Sequence, residues 1–389
     1  MLCARGKAAV QEAFAGDRPD GFPYNESQQH GDHMKKLVCA GALAIVGVNA
    51  LAADSSVSVY GLVDVALVHE SGGKDSGLTK VSSGVSTGSR LGFKGTENLG
   101  NGLAAVFLLE SGFQPDTGAL GQGGLLFGRQ AYVGLQGGFG TVTLGRQYTP
   151  QYLTVALADP FGSGYVGDSK NLMVPTGNGA GRMDNTIKYV SPAAAGVTGE
   201  FVYAPGEVSN DSKAGRQLGG ALDYKGGPLR VRLGYHYRNN DTAALKNTSS
   251  ARNTVLAAVY DFTVVKAHFA YADNKGLNSS WLRNTTNPYN EPGTPAASTD
   301  SRDLLLGATV PFGPHSVLAS WVHKDDRGVL DQDADQYALG YRYAMSVRTE
   351  LYAVISHIKN RRGASYTVGS AIEGGSGNNA SSLGIRHSF

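Results

Sequence analysis

Cysteine is all but missing from this 389-residue chain: only Cys3 and Cys39 occur, and both precede Ala53. A chain cut after Ala52 would hold neither disulfide nor thiol, which excludes a stapled scaffold and leaves stability to a large core or a large hydrogen-bonded sheet. Charge is scarce too, at 17%, where about 25% is usual for soluble domains. The formal net charge of +2 excludes the basic excess of a nucleic-acid partner. It survives removal of the first 52 residues, because the basic and acidic residues lost are equal in number. Methionine is rare, 5 against 19 tyrosines, a balance that favours strands over helical cores. No stretch after residue 53 keeps a helical period or stays apolar for long.

Recognisable reactive constellations are lacking as well. No G-x-S-x-G elbow is present, so nothing points to nucleophilic hydrolysis. The glycine runs Gly121-Gln122-Gly123-Gly124 and Gly177-Asn178-Gly179-Ala180-Gly181 lack the Lys-Ser or Lys-Thr ending of a phosphate loop. Of the nine histidines, His30 and His33 fall in the leader, while His236, His268, His315, His323 and His357 are scattered over separate segments. No enzyme, metal site, cofactor or nucleic-acid partner is expected on these grounds.

One apolar run stands near the start, Leu37 to Ala53, directly after Met34-Lys35-Lys36. It is short for a membrane-crossing helix, and Ala50-Leu51-Ala52 supplies a small-x-small cleavage site. Residues 34–52 therefore read as a secretory signal peptide. Residues 1–33 read as a start placed too far upstream or a disordered extension. Residues 53–389 form a single domain.

Glycine is abundant, with 54 residues, or about 14% and roughly twice average usage. From Ser55 onward the dominant pattern is a period of two. Val57, Val59, Val63, Val65 and Leu67 share one parity, with Ser58, Tyr60 and Asp64 on the other. Leu229, Val231, Leu233, Tyr235 and Tyr237 oppose Arg230, Arg232, His236 and Arg238. Leu351, Ala353 and Ile355 oppose Glu350, Tyr352 and Ser356. A soluble sandwich turns the apolar face inward, whereas a membrane barrel turns it to lipid and lines water with the charged face.

Connections alternate between short and long. Short ones are 97–102, 137–140, 226–228 and 311–314; long ones are 114–126, 149–184, 239–253 and 274–300, rich in Gly, Asn, Ser and Pro. That asymmetry matches periplasmic turns and outer loops. Sixteen strands are expected, near 55–68, 89–96, 102–112, 127–136, 140–148, 185–192, 196–204, 217–225, 229–238, 253–262, 264–273, 302–311, 315–324, 335–344, 347–358 and 382–389. An open sheet in lipid would leave backbone groups unpaired, so closure is required, and about 16 strands leave an aqueous channel. The fold class expected is all-β, a transmembrane antiparallel β-barrel.

Four phrases resemble the beta-proteobacterial branch of the Gram-negative general porins: Ser56-Val57-Ser58-Val59-Tyr60-Gly61-Leu62-Val63-Asp64, Gly88-Ser89-Arg90-Leu91-Gly92-Phe93-Lys94-Gly95-Thr96-Glu97, Phe127-Gly128-Arg129-Gln130-Ala131-Tyr132-Val133-Gly134-Leu135, and Phe139-Gly140-Thr141-Val142-Thr143-Leu144-Gly145-Arg146-Gln147. The ending Leu383-Gly384-Ile385-Arg386-His387-Ser388-Phe389 is similar to the closing strand of outer-membrane proteins. The resemblance implies an outer-membrane homotrimer among lipid and lipopolysaccharide, each barrel passing small solutes and ions by passive diffusion. It also implies a third outer loop, here 149–184, folded into the pore, and a terminal Phe389 read by the barrel-assembly machinery. By the same resemblance the constriction sets Arg90 with Lys94, Arg129, and Arg182 with Lys188 against Asp159, Asp168 and Glu110. Parity supports an inward Arg90, Lys94, Glu110 and Lys188. Arg129 shares parity with the apolar Ala131, Val133 and Leu135, so its turning inward needs a bulge or the end of the regular strand.

Overall fold

A computed structural model describes residues 55–73, 77–173, 181–246, 250–280, 300–328 and 331–389. The leader and the first 33 residues lie outside them. Among the described residues seventeen strands run in order: β1 (Ser56–Ser71), β2 (Leu78–Ser83), β3 (Arg90–Gly100), β4 (Leu103–Gly112), β5 (Gln130–Gly137), β6 (Gly140–Tyr148), β7 (Arg182–Val190), β8 (Val197–Ala204), β9 (Gln217–Gly226), β10 (Leu229–Asn239), β11 (Ser250–Asp261), β12 (Lys266–Lys275), β13 (Ser301–Phe312), β14 (His315–Asp326), β15 (Ala334–Ala344), β16 (Thr349–Asn360) and β17 (Asn379–Ser388). Two short helices, α1 (Pro150–Ala158) and α2 (Lys170–Met173), lie between β6 and β7.

Sequential strands pair antiparallel, and β17 returns to β1 with Leu62 opposite Ser388 and Ser71 opposite Asn379. The other edge of β1 is shared: Ser56 to Leu62 pair with β3, and Val65 to Glu70 pair with β2. β2 and β3 are thus two halves of one stave, and the closed barrel has the expected 16 staves. The sequence pattern missed β2. It is six residues long with no clean alternation, and residues 84–89 separate it from β3 by folding inward. Asp64 holds that inward fold, accepting from the Ser86 amide at 3.0 Å and from the Ser86 hydroxyl.

Alternation decides orientation. Along β16, Glu350, Tyr352, Val354, Ser356 and Ile358 are buried inside while Leu351, Ala353, Ile355 and His357 are exposed outside. Val57, Val59, Val133, Leu135, Leu222, Leu339 and Leu383 are likewise exposed on the outer surface. For a barrel in lipid this is the low-energy arrangement, since the apolar band meets hydrocarbon and each backbone pair is internal.

The larger core sits inside the barrel against one side. Val155, Ala158, Phe161, Leu172 and Met173 from the loop after β6 pack with Val255, Ala257, Ala270, Leu305, Leu318 and Val322 on the inner wall of β11–β14. Each fully buried aliphatic or aromatic side chain there contributes about 1.5–3 kcal/mol. Wall glycines admit the loop: a Cβ on Gly307 would lie 2.3 Å from Pro160, and one on Gly340 would lie 2.8 Å from Phe161. From β3 to β8 the inner wall carries charged residues beside smaller apolar groups, Val106 and Leu108 on β4 and a second cluster of Met183, Val202 and Ala204 on β7 and β8.

Candidate pore constriction

Loop placement starts at Thr149. Its side chain accepts from the Tyr152 amide at 3.3 Å, and Pro150 opens α1 at a position where no amide is needed. Pro160 bars continuation, and Asp159 becomes the C-cap in extended conformation. The Asp159 carboxylate then accepts from three amides, Phe161 at 2.9 Å, Ser163 at 3.2 Å and Ser169 at 2.9 Å. Burial, with Asp168 close by, pushes this carboxyl up to about 6. The loop tip crosses to the broken stave, where the Tyr165 amide donates to Val85 O at 2.5 Å, and the Tyr165 hydroxyl donates to Glu350 on β16 at 2.8 Å. The third outer loop is thus folded into the barrel as expected.

Sequence patterning gave no sign that the last outer loop, residues 361–378, does the same. Tyr366 and Val368 are buried with the core. Lys170 donates to Ala371 O at 3.0 Å, and Gly369 N donates to Asn171 at 2.9 Å. Lys80 pairs with both Glu70 and Glu373 at 3.0 Å. The long gap between the last two expected strands was the available signal.

Opposite this filled sector, four of the expected residues converge. Glu110 on β4 accepts from Arg129 Nε at 2.6 Å and from the Tyr60 hydroxyl at 2.8 Å, and lies 3.9 Å from Arg90. Arg129 and Arg182 both donate to the Tyr148 hydroxyl, at 3.0 and 2.8 Å. Arg182 Nε also donates to Arg129 O at 2.8 Å, and its guanidinium stands 4.5 Å over the Tyr148 ring. Two guanidiniums, Arg129 and Arg90, therefore flank one carboxylate, and a third, Arg182, is tied to Arg129 through the Tyr148 hydroxyl. Arg129 turns inward because the β5 ladder begins only at Gln130, so strand parity does not bind it. Lys94 projects from the inward parity of β3, exposed to the lumen, with its ammonium 5.4 Å from the Tyr60 ring centroid.

The other expected residues are placed differently. Lys188 joins a separate ladder, 3.1 Å from Glu200, which also pairs with Arg232 at 2.5 Å; Asp223 continues it to Arg230 at 2.5 Å. Asp159 is occupied by loop amides, and Asp168 pairs with Lys170 of its own loop at 2.8 Å. Neither carboxylate hydrogen-bonds or ion-pairs with Arg90, Lys94, Arg129 or Arg182 in the described residues; the partner acid is Glu110, on the same wall. Tyr60 and Tyr148, which organise the cluster, were not singled out from the sequence. Phe389 closes the barrel seam, exchanging backbone hydrogen bonds with Gly61 at 2.9 and 3.0 Å while its ring covers the Gly61 Cα.

A closed 16-stave barrel with an apolar exterior, an inward loop and a charged lumen defines a membrane channel. The family model for the Gram-negative porins matches residues 40–363, and the chain belongs to that family. The outer membrane porin protein of Bordetella pertussis is 32% identical, covering 84% of this chain and 95% of its own. Outer membrane porin protein 32 of Delftia acidovorans is 31% identical, covering 91% and 99%. Among solved structures, the anion-selective porin from Comamonas acidovorans superposes with a TM-score of 0.70 at 28% identity, over 86% of this chain and all of that one. The protein is an outer-membrane porin that passes small hydrophilic solutes by passive diffusion.

Proposed function

We propose that this channel favours anions and that Arg90, Lys94, Arg129 and Arg182 set the preference at its constriction. The observation that carries the reading is a cluster with more cations than acids: Arg90 and Arg129 at the single carboxylate of Glu110, Arg182 joined to Arg129 through the Tyr148 hydroxyl, and Lys94 exposed beside them. Cations fixed at a narrow aqueous passage attract anions and repel cations. The acids on the inward loop do not offset them, because Asp168 is paired with Lys170 and Asp159 is closed over by amides. The similar porin from Comamonas acidovorans is anion-selective, which supports the same sign. Reversal potential across a potassium chloride gradient tests it, and a potential of cation-selective sign would refute it.

The remaining parts of the reading follow from the family. The functional unit is a homotrimer embedded among outer-membrane lipids and lipopolysaccharide, and the chain is exported through a leader at residues 34–52 cleaved after Ala52. The barrel-assembly machinery recognises the closing strand ending in Phe389. Transport is diffusive and the protein has no enzymatic activity. N-terminal sequencing of the membrane-inserted protein tests the cleavage site.

A further inference from the structure

The ladder that begins at Lys188 runs down the lumen wall beneath the inward loop, and its charges do not balance. Glu200 on β8 takes Lys188 of β7 on one oxygen, at 3.1 Å, and Arg232 of β10 on the other, at 2.5 Å. Asp223 on β9 takes the Arg230 fork on both oxygens, at 3.0 and 2.5 Å, and Arg232 as well at 3.3 Å. Arg232 Nε also reaches the Thr154 hydroxyl of α1 at 3.2 Å, which ties the top of the ladder to the inward loop. A further cation stands at the bottom. Lys225 lies directly opposite Arg230 in the β9–β10 register, on the lumen-facing parity that Asp223 also holds, and it is exposed. Among the described residues Lys225 has no ion pair. Four cations therefore share two carboxylates.

Strand direction sets the height of each group. Arg182 opens β7 at its long-loop end, and Lys188 lies further along the same strand, toward the short connection to β8. Lys225 and Arg230 flank the short β9–β10 turn. Short turns face the periplasm in this architecture, so the row leads from beneath the constriction to the periplasmic mouth. Like charges directly opposite each other on one face of a strand pair repel. Here the pair Lys225 and Arg230 stands at the wet end of the row, while Arg232 is buried between both acids. The acids thus hold the guanidiniums in place, and the surplus of positive charge faces the water path.

We propose that Lys188, Arg232, Arg230 and Lys225 form a second selectivity stage, which passes anions from the constriction to the periplasmic mouth and holds cations back there. The proposal rests on the anion-preferring reading above and extends it to residues outside the constriction. Fixed charge on the wall of a low-dielectric channel raises the local concentration of the opposite ion, most strongly at low ionic strength. Within the row Arg232 is the positioning member, tied to Glu200, Asp223 and Thr154, and Lys225 with Arg230 acts on the ion. With two stages in series, the constriction arginines set only part of the preference.

The test is planar-bilayer recording of the full-length porin in potassium chloride. The series Lys225→Arg, Lys225→Gln, Lys225→Glu should lower the chloride-to-potassium permeability ratio in that order, with the last about twofold or more below the first at about 0.1 M salt. The double variant Lys225→Gln, Arg230→Gln should lower conductance by about twofold or more at about 10 mM salt, where the screening length is about 30 Å, and the difference should close at about 1 M, where it is about 3 Å. Added to Arg90→Gln with Arg129→Gln, the same pair should lower the permeability ratio further. The Lys225 series breaks no ion pair among the described residues, so it carries the comparison if the glutamine pair inserts poorly. Lys246→Gln, at an exposed and already paired lysine, should match wild type. Equal permeability ratios across the Lys225 series, or a low-salt conductance of the glutamine pair equal to wild type, would overturn the second stage and leave the constriction reading standing. A cation-selective wild type would instead sink the channel's anion preference, a result readable without any variant.

Discussion

Neutralising Arg90 and Arg129 together should move this porin strongly toward cations. The two guanidiniums at Glu110 are then gone and only Arg182 and Lys94 remain against that carboxylate, so most of the cluster's surplus of positive charge is lost. A unit charge about 5 Å from a permeating ion is worth about 0.8 kcal/mol even at the dielectric constant of bulk water, hence about 1.6 kcal/mol for two. With 1.4 kcal/mol per tenfold step, and screening over about 10 Å at about 0.1 M salt, chloride entry should fall by about three- to tenfold and potassium entry rise by a similar factor, so the chloride-to-potassium permeability ratio should fall by about tenfold or more. Arg90→Gln with Arg129→Gln keeps amide donors for Glu110 and the Tyr148 hydroxyl, and migration of unheated protein as a folded form checks assembly. The complementary Glu110→Gln removes the only acid of the cluster and should shift the ratio the other way. Reversal potentials measured across a potassium chloride gradient must rank Glu110→Gln, wild type, then the double variant, from most to least anion-selective. A change no larger than that from Lys275→Gln, at an exposed outer-rim lysine, would refute the assignment of these arginines to the constriction.

Removing Phe389 should lower the yield of heat-resistant barrel, and Gly61→Val should do so too, because a Cβ at Gly61 would lie 2.5 Å from the Phe389 ring; unchanged yield in outer-membrane fractions would count against that seam. Protease sites inserted within 239–253 should be cut on intact cells and sites within 137–140 should not; the reverse pattern would invert the topology. Shortening the last outer loop by deleting residues 367–376 should raise single-channel conductance, since Val368 and the Ala371 carbonyl are packed against the inward loop. Asp159, its carboxyl pushed up to about 6, is buried charged at neutral pH at a cost that fades as pH falls through that value. The heat-resistant form should therefore gain stability between about pH 7 and pH 5, and Asp159→Asn should flatten that gain, as read from the temperature of conversion to the slow-migrating form.

The staves were legible because each strand repeats one local rule, greasy outward and polar inward, and the rule reads directly from residue order in segments such as Thr349–Asn360. Inward-folded pieces obey no such rule. Residues 84–89 and 361–378 are seated by partners far away in sequence, such as Asp64 with Ser86, Glu373 with Ser82, and Gly369 with Asn171, so no local window announces them. The charged cluster was half visible. Resemblance picked out Arg90, Glu110, Arg129 and Arg182, with parity supporting Arg90 and Glu110, and the geometry then supplied Tyr60 and Tyr148 as the groups that tie them together. Asp159 and Asp168 sit on the expected loop, yet backbone amides and Lys170 claim them, which depends on how the chain turns after Pro160.

The most direct test is the conductance of wild-type protein purified from outer membranes and inserted into a planar bilayer. The structure predicts discrete steps whose size grows roughly in proportion to salt, without saturation, and a reversal potential of anion-selective sign. Absence of steps from folded protein, or a reversal potential of cation-selective sign, would contradict it.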